Sequence, residues 1–214
     1  KLNFSIDEVS GKIQRVFSTN SAFAAIDRSG RVFTWGDPNG GGDSTKVSQA
    51  LSENIQTIAS TRSAFAAINS DGKVVAWGNP NHGGDISDVR KLNKGTVSHI
   101  FANKKAFAAL KTDGSVVAWG DANNGGDTSG VGKQLKDSVR QLYATNGAFT
   151  ALKSDGSLVT WGNPKRGGQI TNQQRKKLDA PIVKIVATNS AFAALLSDGS
   201  VVAWGDQDGG GDPS

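Results

Sequence analysis

The side chains of this 214-residue sequence that could do chemistry are few, and their spacing argues against most of it. There are two histidines, His82 and His99. His82 stands in a polar loop and His99 in an apolar-polar run, so they offer no paired ligand spacing. A Ser-His-Asp arrangement would need His82 to meet a distant Asp, and no nucleophile-elbow motif accompanies it. Cysteine is absent, which removes disulfides, thiolate catalysis and Cys-ligated zinc. Asp43, Asp85, Asp127 and Asp212 each follow Gly-Gly and invite a cation site. None has a companion carboxylate at regular loop spacing. The fourth copy has Gln169, which a turn or helix cap tolerates better than a calcium ligand does. Gly-rich loops such as Asn39-Gly40-Gly41-Gly42 lack the lysine and following helix of a phosphate cradle. The expectation is a protein without a catalytic site, metal or cofactor.

The elements that would position any site repeat. Tryptophans stand at Trp35, Trp77, Trp119, Trp161 and Trp204, so successive ones are 42, 42, 42 and 43 residues apart. Ahead of each lies a phenylalanine, at Phe23, Phe65, Phe107, Phe149 and Phe192, with a Gly-containing turn between them, Asp-Gly in four of the five copies. An Asp-Gly pair between short apolar runs predicts a β-hairpin, because Gly takes the positive φ of the turn and Asp bonds the local backbone. The hairpin strands are apolar on both faces, as in Ala64-Phe65-Ala66-Ala67-Ile68, which implies that both faces are covered. One Phe and one Trp per copy then supply the bulk that fills the wedge between units, a structural role. A third strand, closer to solvent, is expected before each hairpin, at 13–18, 55–60, 97–102, 139–144 and 183–187. Between Gly-Gly-Asp and that strand, Val47 and Leu51, like Val131 and Leu135, are four apart, which predicts a short helical turn or an irregular segment.

The ends bear on architecture. The chain stops shortly after Asp212, without the segment that follows the equivalent Asp in other copies, and begins with seventeen residues containing such a segment. Joining tail to head predicts that residues 1–17 complete the last repeat, and that polar end caps are absent because there are no ends. The sequence thus predicts an all-β fold over 1–214: a closed β-propeller-like toroid of five repeats, each about 42 residues long with a hairpin, at least one further strand and a short helical turn.

The phrase Ala-Leu-x-x-Asp-Gly-x-Val-x-x-Trp-Gly followed by Gly-Gly, at 109–126 and 194–211, resembles the repeat of the RCC1 (regulator of chromosome condensation) family. That resemblance implies a β-propeller serving mainly as an interaction platform, including nucleotide exchange on a small GTPase and chromatin docking. Where the family usually has Gly-x-x-His before the Ala-Leu strand, this chain has Asn20-Ser21-Ala22-Phe23 and Asn189-Ser190-Ala191-Phe192. The usual Gly-Gln-Leu-Gly is here Gly-Gly-Asp, and no residue matches an exchange surface.

Copy-to-copy variation separates scaffold from surface. The hairpins hardly change, whereas the loop after each Trp does. Its candidate binding residues are Asp37 and Asn39, then Asn79, Asn81 and His82, then Asp121, Asn123 and Asn124, then Asn163, Lys165 and Arg166, and last Asp206 and Asp208. All stand at one phase, so all should decorate one rim, and rigid strands presenting such loops make a binding face. The leading expectation is a non-catalytic scaffold whose partner is a protein. Alternatives are a multivalent glycan-binding propeller, whose five equal sites the charge divergence of the loops disfavours, and a chromatin, nucleic-acid or small-GTPase-associated module. A net charge of +5, with lysines and arginines in scattered short clusters, reads first as solvated surface. No apolar run approaches the length of a membrane span, so no membrane insertion is expected. Methionine is absent even at position 1, which suggests a processed form or a piece of something longer.

Overall fold

The computed structural model describes residues 12–89 and 91–212. Among these residues, fifteen strands form five separate three-stranded antiparallel sheets, the blades. They are β1 Ile13–Ser18, β2 Ala22–Asp27 and β3 Val32–Gly36; β4 Ile55–Ser60, β5 Ala64–Asn69 and β6 Val74–Gly78; β7 Val97–Ala102, β8 Ala106–Lys111 and β9 Val116–Gly120; β10 Val139–Ala144, β11 Ala148–Lys153 and β12 Leu158–Gly162; β13 Ile182–Ala187, β14 Ala191–Leu196 and β15 Val201–Gly205. Phe and Trp face one another across each hairpin, as in Phe65↔Trp77, and their rings stack with centroids 5.2 Å apart. Each hairpin turns through a left-handed glycine, Gly114 at φ 77° for example, with Asp113 accepting from the backbone and hydroxyl of Ser115. Those two bonds, side chain first, hold the Asp113 carboxyl below its usual range.

The third strand is half-exposed, but it is the innermost of its blade: β1 lies against β4, β4 against β7, β7 against β10 and β10 against β13. Hairpin side chains point alternately to the preceding and the following blade. Ala22, Ala24, Ile26 and Val32 of blade one therefore form one core with Ile58, Phe65, Ala67 and Trp77 of blade two. The same cluster recurs between blades two and three, three and four, and four and five. Being sandwiched is why the strands are apolar on both faces. The predicted helical segments are present, among the described residues, as short turns, such as the 3-10 turn Thr45–Val47, and as an α-helix, α1, Asn172–Lys177. In α1 Thr171 and Gln174 form a capping box. Asp43, Asp85 and Asp127 accept hydrogen bonds from the residue two positions on, a turn-stabilising role.

The junctions rest on glycine. Gly41, at φ 98°, lies so close to the Phe65 ring that a Cβ there would stand 2.6 Å from Cδ2, and its carbonyl accepts from Trp77 Nε1 at 3.0 Å. Trp119 and Trp161 donate likewise to Gly83 and Gly125. Trp204 packs in the same way, yet its Nε1 is buried with no partner.

The two ends of the row of blades differ from its middle. Among the described residues no junction of this kind joins blade five to blade one: a Cβ on Gly210 meets nothing within 4 Å. Phe23 is 45% exposed, whereas its four counterparts are 0–1% exposed. Val16 on that face of blade one, and Val186, Leu195 and Val201 on the outward face of blade five, are also exposed, while their counterparts in the other blades are buried or half-buried. Residues 13–18 pair with the first hairpin, not the last, because the strand before a hairpin adds to that hairpin's own edge. Blade five has its own inner strand, β13. The remaining part of the predicted closing segment, residues 1–11, lies outside the described residues.

Candidate functional site

The five inner strands end in equivalent turns, and these converge on one opening. Ser18-Thr19-Asn20, Ser60-Thr61-Arg62, Ala102-Asn103-Lys104, Ala144-Thr145-Asn146 and Ala187-Thr188-Asn189 line a cavity of about 850 Å³. Backbone bonds stitch the turns together: Asn20 N donates to Arg62 O at 2.9 Å, Arg62 N to Lys104 O at 3.0 Å, Lys104 N to Asn146 O at 3.4 Å and Asn146 N to Asn189 O at 2.9 Å. Each turn is set by a short polar side chain. Thr145 Oγ1 accepts from Ala148 N at 3.1 Å and donates to Arg166 O at 2.8 Å. Thr19, Thr61 and Thr188 donate to the carbonyls of Gly40, His82 and Gly209, and Asn103 replaces Thr by donating through Nδ2 to Asn124 O. These bonds pull the loop after each Trp against the central turn of its own blade, so the loops surround the opening.

The loop residues divide into two kinds. Asp37, Asn79, Asp121, Asn163 and Asp206 are N-caps: each has φ between −64° and −67° and its side chain accepts from a backbone N–H two or three residues on. Their oxygens are thereby engaged in holding the loop. Asn39, Asn81, Asn123, Lys165 and Asp208 are the exposed tips. Of the next residues, His82 bonds Ser63 Oγ through Nδ1, Asn124 Nδ2 bonds Asp121 Oδ1, and Arg166 lies over Gly147, where a Cβ would stand 2.6 Å from its Cδ.

Charge is unequal around the opening. Arg62, His82, Lys104, Lys105, Lys165 and Arg166 belong to blades two to four, with Asp121 the one loop carboxylate among them, whereas Asp37, Asp206 and Asp208 belong to blades one and five. Partial burial, then the neighbouring Arg62 and Arg166, hold the Lys104 ammonium below its ordinary value. Burial also lowers the His82 imidazole, with Lys105 and Arg62 acting in the same sense against Asp121. Residues 18–20 and their four counterparts were not singled out from the sequence. The signal is a Thr or Asn three positions before the first hairpin Ala, recurring at 19, 61, 103, 145 and 188. Among the described residues no group of three or more His, Asp or Glu is placed to hold a metal ion.

No protein-family model matches the sequence, and no curated protein matches it. Solved structures do. Prp20p from Saccharomyces cerevisiae is 20% identical, with 92% of this chain and 57% of that chain covered, at a TM-score of 0.57. Yeast RCC1 (Prp20) with Kap60 bound gives 20% identity, coverage of 92% and 56%, and a TM-score of 0.59. Human WBSCR16 gives 15% identity, coverage of 90% and 61%, and a TM-score of 0.54. The chain thus spans less than two thirds of the length of each. At such identity the likeness is one of fold: five three-stranded blades of an all-β propeller, the RCC1-like repeat fold.

Proposed function

We propose that the chain is a non-catalytic interaction scaffold that binds a protein partner through the loops around the central opening. The observation that carries this is the separation of roles within each loop. One residue caps, one carbonyl is tied to the central turn, and one tip side chain, Asn39, Asn81, Asn123, Lys165 or Asp208, is left exposed at the same phase. Five tips held by fixed backbone on one side give a preorganised surface whose chemistry differs from blade to blade, as recognition of one asymmetric partner needs. The similar yeast protein supports the reading: Prp20p is described by its binding properties to Gsp1p and histones, and its complex with Kap60 is solved.

The test is a pull-down from cell extract, run beside a glycan array, with the wild type and with Asn39, Asn81, Asn123 and Lys165 changed to alanine. Loss of a captured protein on these changes is the expected result. Capture unaffected by them removes the loops from consideration, and glycan binding lost on the same changes replaces the protein with a sugar as ligand.

A further inference from the structure

The side chains at the central position of the five turns are Asn20, Arg62, Lys104, Asn146 and Asn189. Their backbones form the bonded ladder, but among the described residues none of the five side chains makes a hydrogen bond or ion pair within the chain. Nothing in the lining opposes the two cations: its other members are Ser, Thr, Ala and Asn, with no carboxylate and no aromatic ring. The bonds from Arg62 N to Lys104 O and from Lys104 N to Asn146 O place these cations on adjoining turns, and the Arg166 side chain lies over Gly147 one turn further on.

We propose that the central opening is a receptor for an acidic peptide segment of the partner, with Arg62 and Lys104 pairing its carboxylates and Asn20, Asn146 and Asn189 donating amide hydrogens to its backbone or side chains. This rests on the scaffold reading and names the partner's chemistry. Arg presents a fixed fork of donors to a carboxylate and Lys a mobile point charge, while amides add neutral donors around them. A cavity of about 850 Å³ takes several side chains of an extended segment. The concentration of like charge supports the assignment, because a carboxylate entering there offsets the Arg62 and Arg166 charges that, after desolvation, hold Lys104 below its ordinary value. Nucleic acid fits less well. Single strands are held by bases stacking on aromatic side chains, and the lining has none.

The experiment is fluorescence polarisation of the full chain with a labelled peptide of alternating Glu and Gly. A Gln-Gly peptide and a labelled single-stranded oligothymidylate serve as comparison probes. Expected are saturable binding of the Glu peptide and none of the Gln peptide, with affinity falling about tenfold or more in Arg62→Ala or Lys104→Ala, as loss of one charge-assisted bond implies. Arg62→Gln and Lys104→Gln keep polar bulk and should weaken binding as strongly. Circular dichroism should show all four variants folded, since their backbone bonds are kept. Equal affinity for the Gln peptide, tighter binding of the oligothymidylate, or variants that bind like wild type would each overturn the assignment. The alanine changes at Asn39, Asn81, Asn123 and Lys165 should leave Glu-peptide affinity within about threefold while still abolishing capture of the full partner. Failure of the peptide with capture intact would then sink the central receptor alone, and failure of capture would sink the scaffold reading.

Discussion

The Nε1–H of Trp161 donates to the carbonyl oxygen of Gly125 at 3.0 Å, thirty-six residues earlier and in the preceding repeat. The equivalent Nε1 of Trp204 is buried without a partner. Replacing either by Phe removes the same ring area, but only Trp161→Phe leaves a buried carbonyl unsatisfied. Trp161→Phe should therefore lower stability by about 1 kcal/mol or more beyond Trp204→Phe. Urea unfolding of the pair measures the difference, and equal losses would mean that the indole bond contributes nothing.

Gly83 and Gly210 share nearly the same backbone, at φ 94° and 96°. A Cβ at Gly83 would lie 2.6 Å from Phe107 Cδ2, whereas at Gly210 it meets no described residue within 4 Å. Gly210→Ala should show only the left-handed backbone cost of about 1–2 kcal/mol. Gly83→Ala adds overpacking of about 1–3 kcal/mol. Denaturant midpoints give the comparison. If Gly210→Ala costs as much as Gly83→Ala, blade five meets blade one in solution.

Thr145→Val keeps shape while deleting the hydroxyl that joins the central turn to the loop carbonyl of Arg166. Both lost bonds leave partly or wholly buried groups, so a loss of about 2 kcal/mol is expected. Faster amide hydrogen exchange should appear at 163–167. Exchange that rises uniformly over the whole blade would assign the hydroxyl to general stability instead.

His82 is held below the ordinary value of 6.5, chiefly by burial and then by the Lys105 charge. A base whose folded value is depressed binds fewer protons when folded than when unfolded. Its contribution to stability is complete above pH 6.5 and is lost as pH falls through the folded value. The melting temperature of the wild type should thus fall more between pH 7.5 and 5.5 than that of His82→Gln, in which His99 is retained. Parallel curves would show that His82 is not the source.

The hairpins were legible because their determinants are local. Asp113-Gly114 specifies a turn wherever it sits, and Phe65 and Trp77 fall opposite one another by strand register alone. The loop after each Trp follows the hairpin directly, but the capping by the side-chain oxygens of Asp37, Asn79 and their counterparts is seen only in the folded loop. An Asx residue before Pro or Ala at the head of a 3-10 turn, as in Asn79-Pro80, carries that information. The opening was not legible, because Asn20, Arg62, Lys104, Asn146 and Asn189 become neighbours only when blades stand side by side. Ring closure is likewise not a local property: counting residues from tail to head says how much chain is present, whereas cores such as that of Ala64, Ala66 and Phe107 form only between blades.

Because each blade is held only by its neighbours, stability is distributed as in a row of coupled units. Among the described residues, blades one and five each share a packed core with one neighbour and the inner three with two. Thermal opening should begin at the ends and move inward, so the Arg62 and Lys104 turns, in blades two and three, should outlast those of Asn20 and Asn189. Every strand pair also closes within one repeat, which keeps contacting residues near in sequence and favours quick folding.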